Sequence, residues 1–223
     1  MTLSALPRLG ILISGRGTNL LSLIRATEDG RVQAKIGVVV SNRPDAGGLD
    51  LARAAGLPTL VLSHRGFPTR PAFDRALADV LLAQRIDLVC LAGFMRVVGP
   101  GVLDRFPNAV LNIHPSLLPA FPGAEAQQQA VDHGVKVTGV TVHFVTAELD
   151  AGPIVLQRAV PVLEDDTGET LAARILEVEH DVYPEAVQRV LTGRWRLVGR
   201  RVLFDQPDSD VVMSSRAVSR DDR

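Results

Sequence analysis

The sequence predicts a single-domain α/β fold: a mostly parallel open sheet with helices on both faces, a C-terminal antiparallel hairpin and a long closing helix. Two observations carry that expectation. Through the first half of the chain, short apolar runs rich in β-branched residues alternate with amphipathic stretches, the pattern of strand–helix–strand units on a parallel sheet. After a Pro-rich loop the pattern gives way to two strand-like runs joined by residues 148–153, too few for a parallel crossover, so those runs pair antiparallel. The 223 residues, 46% hydrophobic, suffice for one core of ordinary size.

Strands are expected at residues 9–14, 34–41, 58–62, 86–91 and 109–113, each bounded by Gly, Pro, Asn or charged residues. Helices fall between them at 19–28, 46–55 and 71–84. The last shows the three-and-four spacing plainly in Phe73, Leu77, Val80 and Leu81. Beyond the loop that ends at Pro122 come a short helix to about His133 and the two antiparallel runs, 136–145 and 154–162. A long helix over 168–191 then closes the fold. Asp165, Asp166 and Thr167 supply acids and a cap before it, and Gly193 stops it. Together these make a Rossmann-like domain over residues 1–203. Beyond Leu191 the pattern yields no further element, and 204–223, rich in Asp, Ser and Arg with few apolar anchors, is expected to be a frayed or disordered tail.

Charge and composition exclude several functions. Twenty-four basic residues against 25 acidic ones leave a net charge of −1, which gives no electrostatic case for nucleic acid or an anionic membrane as partner. No apolar run approaches the roughly 18 to 20 residues that span a bilayer, and residues 1–7 lack the pattern of a signal peptide, so a cytoplasmic setting is expected. Cys90 stands alone and reads as a small buried hydrophobe. His64, His133 and His180 show no ligand spacing, and no metal is expected.

Two segments carry chemistry. The first strand runs into Ser14-Gly15-Arg16-Gly17-Thr18-Asn19-Leu20, a tight turn opening a helix, where free amide N–H groups and the helix dipole favour a phosphate. A purely structural turn is the alternative. A dinucleotide fingerprint wants Gly or Ala where Leu20 stands, and the Gly-Lys-Ser/Thr ending of a P-loop is missing. The second segment is Leu111-Asn112-Ile113-His114-Pro115-Ser116-Leu117-Leu118-Pro119. Asn112 and His114, two apart on an extended run, project to one side, and Pro115 holds His114 extended. A carboxamide beside an imidazole at the sheet edge can stabilise charge growing on a carbonyl oxygen; a hydrogen-bonded structural histidine is the plain alternative. Asp150, in the turn after Glu148, is the candidate acid to hold and charge that imidazole, against the ordinary role of a turn aspartate capping its own backbone. His143, mid-strand, lines the same cleft or is a satisfied core residue.

With Leu91-Ala92-Gly93-Phe94-Met95-Arg96 and Val142-His143-Phe144-Val145 leading to Leu149-Asp150-Ala151-Gly152-Pro153, these segments resemble the phosphoribosylglycinamide formyltransferase family, the folate-dependent transformylases of purine synthesis, up to about Leu191. The resemblance implies that the ribonucleotide phosphate sits on Gly17, Thr18 and Asn19 and that Glu179 takes the ribose hydroxyls. It implies a folate co-substrate, 10-formyltetrahydrofolate, along Met95, Arg96, Val97, Val98, Asn112, Thr146, Ala147, Glu148, Leu149 and Asp150, with Arg70 near the glutamate tail. It makes Asn112, His114 and Asp150 the catalytic set, with the small-molecule substrates as the only partners and an oligomeric state left open. Alternatives are a hydrolase that releases formate from the same folate, expected to carry an extra N-terminal domain, and a non-catalytic nucleotide-binding module. One departure stands out: Ala124-Glu125-Ala126 occupies a position where a histidine is expected close by.

Overall fold

The computed structural model describes residues 5–205. Strand β1 (Arg8–Ile13) shows how the layers arise. Its Leu9, Ile11 and Ile13 enter one apolar cluster and Leu12 a second, because successive side chains leave a strand on opposite faces. Both faces are therefore covered, which is why the run is continuously apolar. Helices α1 (Thr18–Glu28), α2 (Gly48–Ala54), α5 (Ala126–Asp132) and α6 (Gly168–Thr192) pack on the first cluster. Helices α3 (Arg70–Ala83) and α4 (Pro100–Leu103) cover the second, with Phe73, Leu77, Leu81 and Val102.

The remaining strands are β2 (Lys35–Ser41), β3 (Thr59–Val61), β4 (Leu88–Leu91), β5 (Val110–His114), β6 (Val137–Phe144), β7 (Ile154–Pro161), β8 (Trp195–Val198) and β9 (Arg201–Phe204). They form one nine-stranded sheet in the order β3-β2-β1-β4-β5-β6-β7-β9-β8. Pairing is parallel from β3 through β5 and antiparallel from β5 through β7, so the expected fold class and hairpin are both present. Strand order reverses direction between β1 and β4, and a cleft opens at such a switch point above the carboxyl ends of the strands. The loops after β1, β4 and β5 all emerge there.

Helix α6 closes the molecule as expected. Thr167 accepts from the Thr170 amide and Thr170 returns the bond to the Thr167 amide, a reciprocal cap. The Tyr183 hydroxyl reaches through the core to the carbonyls of Leu91 and Leu111 at 3.0 and 3.2 Å, tying α6 to the ends of β4 and β5. Cys90 is fully buried, its thiol pushed up to about 12 by desolvation, the inert hydrophobe expected.

Beyond Leu191 the structure differs from the sequence reading. Strands β8 and β9 form a hairpin that lengthens the sheet, with Trp195, Leu197, Val202 and Phe204 packed on the first cluster. The Trp195 ring lies 4.9 Å from that of Phe144. Phe204, placed by sequence at the head of the tail, closes β9, and the expected disorder from residue 206 onward lies outside the described residues. Helix α4 was also absent from the sequence reading, since one turn is too short to show a period.

Candidate active site

The turn after β1 is built on close backbone approach. Gly17 caps α1 at φ 82°, and a Cβ there would meet the Gly48 Cα at 2.5 Å, so the left-handed conformation and the contact both demand glycine. The Gly48 amide donates to the Gly15 carbonyl at 3.0 Å, holding the turn against α2. Helix α1 has no side-chain cap and no acid in its first turn. Its leading N–H groups at Thr18 and Asn19 thus face the cleft in a field that suits an anion. Ser14 ties this turn to the loop after β4: the Met95 amide donates to Ser14 Oγ at 2.8 Å, and that hydroxyl donates to Asn42 at 2.6 Å.

Asn19 and Glu179 meet across the chain. Asn19 Nδ2 donates to Glu179 Oε2 at 2.7 Å, and both side chains are buried. Burial pushes the Glu179 carboxyl above its ordinary value, opposed by the Asn19 hydrogen bond. Asn19 Oδ1 is buried with no hydrogen-bond partner among the described residues.

Asn112, His114 and Asp150 converge at the carboxyl end of β5. His114 Nε2 lies 2.8 Å from the Phe121 carbonyl, so that nitrogen carries the proton and donates it there. Its Nδ1 faces Asp150 Oδ2 at 3.5 Å, both side chains being buried. That separation exceeds a charge-assisted hydrogen bond, which leaves Nδ1 as the ring nitrogen free to meet a reactant. Asp150 holds φ 49°, a conformation that costs a non-glycine residue, and its Oδ2 accepts from the Gly123 amide at 2.8 Å rather than capping its own turn. Gly152 lets this turn lie against β6, since a Cβ there would overlap the Phe144 carbonyl oxygen.

His143 is the residue that sequence reasoning undervalued. Its Nδ1 lies 3.0 Å from the Phe144 carbonyl and donates to it, so Nε2 accepts from Asn112 Nδ2 at 3.2 Å. Burial holds His143 below its ordinary value despite Asp150, whose Oδ1 lies 3.7 Å from Nε2, and a neutral imidazole is what the acceptor role requires. The carboxamide of Asn112 is thereby oriented, with a second N–H still to give. The signal in the sequence was the alternation that put His143 on a cleft face; nothing there gave its tautomer.

The loop after β4 and the turn carrying Asp150 expose apolar side chains: Met95 is 77%, Leu149 55% and Val97 40% exposed, while Val98 is buried. Thr146, Ala147 and Glu148 complete that turn, with the Thr146 hydroxyl donating to the Glu148 carbonyl at 3.2 Å. Arg96 lies 5.1 Å over the Phe73 ring. Arg70 stands at the start of α3, half exposed, with Nε 3.9 Å from the buried carboxylate of Asp74. Exposed apolar side chains on these two loops, with cations beside the first, suit a flat aromatic ligand bearing carboxylates. Among the described residues no group of three or more His, Cys, Asp or Glu is placed to hold a metal ion, and no helix is long and apolar enough to cross a membrane.

Comparison with known proteins gives this geometry its class. The family model described as formyl transferase matches residues 7–187, and the chain belongs to the formyl transferase family. It is 41% identical to the phosphoribosylglycinamide formyltransferase of Haemophilus influenzae, over 89% of this chain and 93% of that protein. It is 48% identical to the trifunctional purine biosynthetic protein adenosine-3 of Bos taurus over 85% of this chain, and spans 19% of that relative's length. Among solved structures, glycinamide ribonucleotide transformylase 1 from Symbiobacterium toebii superposes with a TM-score of 0.88 at 56% identity, covering 89% of this chain and 94% of that one. A formyltetrahydrofolate deformylase from Pseudomonas syringae shares the fold at 27% identity and a TM-score of 0.84, covering 91% of this chain and 67% of that one.

Proposed function

We propose that the protein transfers the formyl group of 10-formyltetrahydrofolate to the amine of 5-phosphoribosylglycinamide, giving N-formylglycinamide ribonucleotide and tetrahydrofolate, in a cytoplasmic setting with small molecules as its partners. The observation that carries the reading is Asp150 between two imidazoles, with the Asn112 amide aimed by His143 and His114 Nδ1 left for a reactant because Nε2 is bonded to the Phe121 carbonyl. In this reading Gly17, Thr18 and Asn19 hold the phosphate and Glu179 accepts from the ribose hydroxyls. The apolar strip of Met95, Val97 and Leu149 takes the folate ring system, and Arg70 takes its glutamate tail.

The chemistry follows from the donors. As the amine attacks the formyl carbon, negative charge grows on the formyl oxygen. The free N–H of Asn112 and a protonated Nδ1 of His114 are the groups that stabilise it. Asp150, 3.5 Å from His114 Nδ1, accepts the amine's proton through water on its way to the folate nitrogen that leaves. His114 Nε2 plays no part in this step, being committed to the Phe121 carbonyl.

A spectroscopic assay of tetrahydrofolate release, run with and without the ribonucleotide, tests the reading. Release only when both substrates are present is expected. Release without the ribonucleotide would make the protein a hydrolase, and ribonucleotide binding with no release in either case would make it a binding module. His114→Ala should lower turnover by about 100-fold or more with ribonucleotide binding retained, as befits a contact made in the transition state.

A further inference from the structure

We infer that Asp74 is a positioning residue of the donor site, aiming Arg70 at the carboxylates of the folate tail while pinning the 95–98 segment through the Gly99 amide. The inference rests on the reading of Arg70 and residues 95–98 as donor contacts. Its basis is a buried charge that the transfer step does not use and that a neutral acceptor could replace in the fold.

Asp74 lies on the inner face of α3 with 5% of its side chain exposed. Its Oδ2 accepts from the Gly99 amide at 3.1 Å, the bond that fixes the end of the loop carrying Met95, Arg96, Val97 and Val98. The backbone presses on this carboxylate. A Cβ at Gly99 would collide with Oδ2, and one at Gly101 would lie 3.0 Å from the Asp74 Cβ. One turn earlier, Arg70 presents its Nε to the same oxygen at 3.9 Å. A guanidinium drawn in by its Nε edge keeps the fork of its two terminal nitrogens for another carboxylate, which it binds bidentately. Packing alone would be served as well by a neutral residue of the same shape. Burial in fact raises the Asp74 carboxyl, so the charge is held at a cost, and Arg70 and Arg96 are the cations that oppose it. One side chain thus sets the geometry between a cation on α3 and an apolar strip on the loop after β4, two surfaces remote in sequence that must grip a single long ligand.

Steady-state kinetics with two donors separate the two jobs: 10-formyltetrahydrofolate, which has the glutamate tail, and 10-formyltetrahydropteroate, which lacks it. Asp74→Asn keeps an acceptor for Gly99 and removes only the charge. It should raise KM for the tailed donor by about threefold or more, the size of a partly exposed ion-pair contact, with little change for the tailless one. Asp74→Ala removes the acceptor as well and should raise KM for both donors; if that variant does not fold, the Asn variant decides alone. Equal shifts for both donors with Asp74→Asn, or none, would overturn the inference. Arg70→Ala separates the underlying reading: if it leaves the ratio of the two KM values unchanged, Arg70 is not the tail contact and this inference falls with it. If Arg70→Ala changes the ratio and Asp74→Asn does not, only the role of Asp74 is lost.

Discussion

Glu179 offers a test in which stability and binding should move in opposite directions. Among the described residues the carboxylate, buried on α6, has one hydrogen bond, from Asn19 Nδ2, and Asn19 Oδ1 has none. Burial thus raises the Glu179 carboxyl above its ordinary 4.5. A group whose folded-state value is raised binds protons more readily when folded, so its ionised form destabilises the native state at neutral pH, and the penalty fades as pH falls towards the unfolded value. Glu179→Gln removes the buried charge and keeps a carbonyl oxygen for Asn19 Nδ2. Relief of that buried charge is worth about 1–2 kcal/mol. In a chain of 223 residues that amounts to a rise of roughly 2–8 °C in Tm. Scanning calorimetry at pH 7.5 and again near pH 5 should show the gain shrinking at the lower pH. Calorimetric titration with the ribonucleotide should show binding weakened by about tenfold or more, since a Gln can accept from only one side of a sugar diol. A variant no more stable than the parent at pH 7.5 would refute the reasoning, because the buried acid would then carry no cost for substrate to relieve.

Two further substitutions probe the turn above β6. Asp150→Asn retains an acceptor for the Gly123 amide but removes the charge 3.5 Å from His114; kcat should fall by about 100-fold and its pH profile change shape, and an unchanged rate and profile would remove Asp150 from the proton path. Gly152→Ala drives a methyl group into the Phe144 carbonyl and should cost about 3 kcal/mol or more in urea unfolding, with turnover falling as Asp150 shifts; a loss under about 1 kcal/mol would mean the turn moves freely.

How much of this was legible in the sequence depends on whether a role belongs to a side chain or to the backbone. Residues 9–13 announced a buried strand because every position is apolar or glycine, and Gly17 announced a turn because no other residue tolerates both its φ of 82° and its contact with Gly48. Asn112 and His114 were legible from a period of two and a following proline. Asp150 was a candidate acid weighed against an ordinary turn aspartate, since nothing in its neighbourhood shows that it faces a histidine on another strand. Hairpin β8–β9 was missed because each strand offers only four residues of alternation, too few to stand above chance. Asp74 carries no sequence signal that separates it from the other polar positions of α3. The partners that fix His114 and Asp150 were the least legible of all, being the Phe121 carbonyl and the Gly123 amide, groups every residue of their kind possesses. That same fact settles what the departure at Ala124-Glu125-Ala126 does to the site. The bonds this loop makes to His114 and Asp150 come from main-chain atoms just upstream, held by Phe121 at φ 52° and Gly123 at φ 83°. Side chains at 124–126 make neither bond, but the backbone there is constrained too, since Glu125 sits at φ 58° and Ala126 is fully buried.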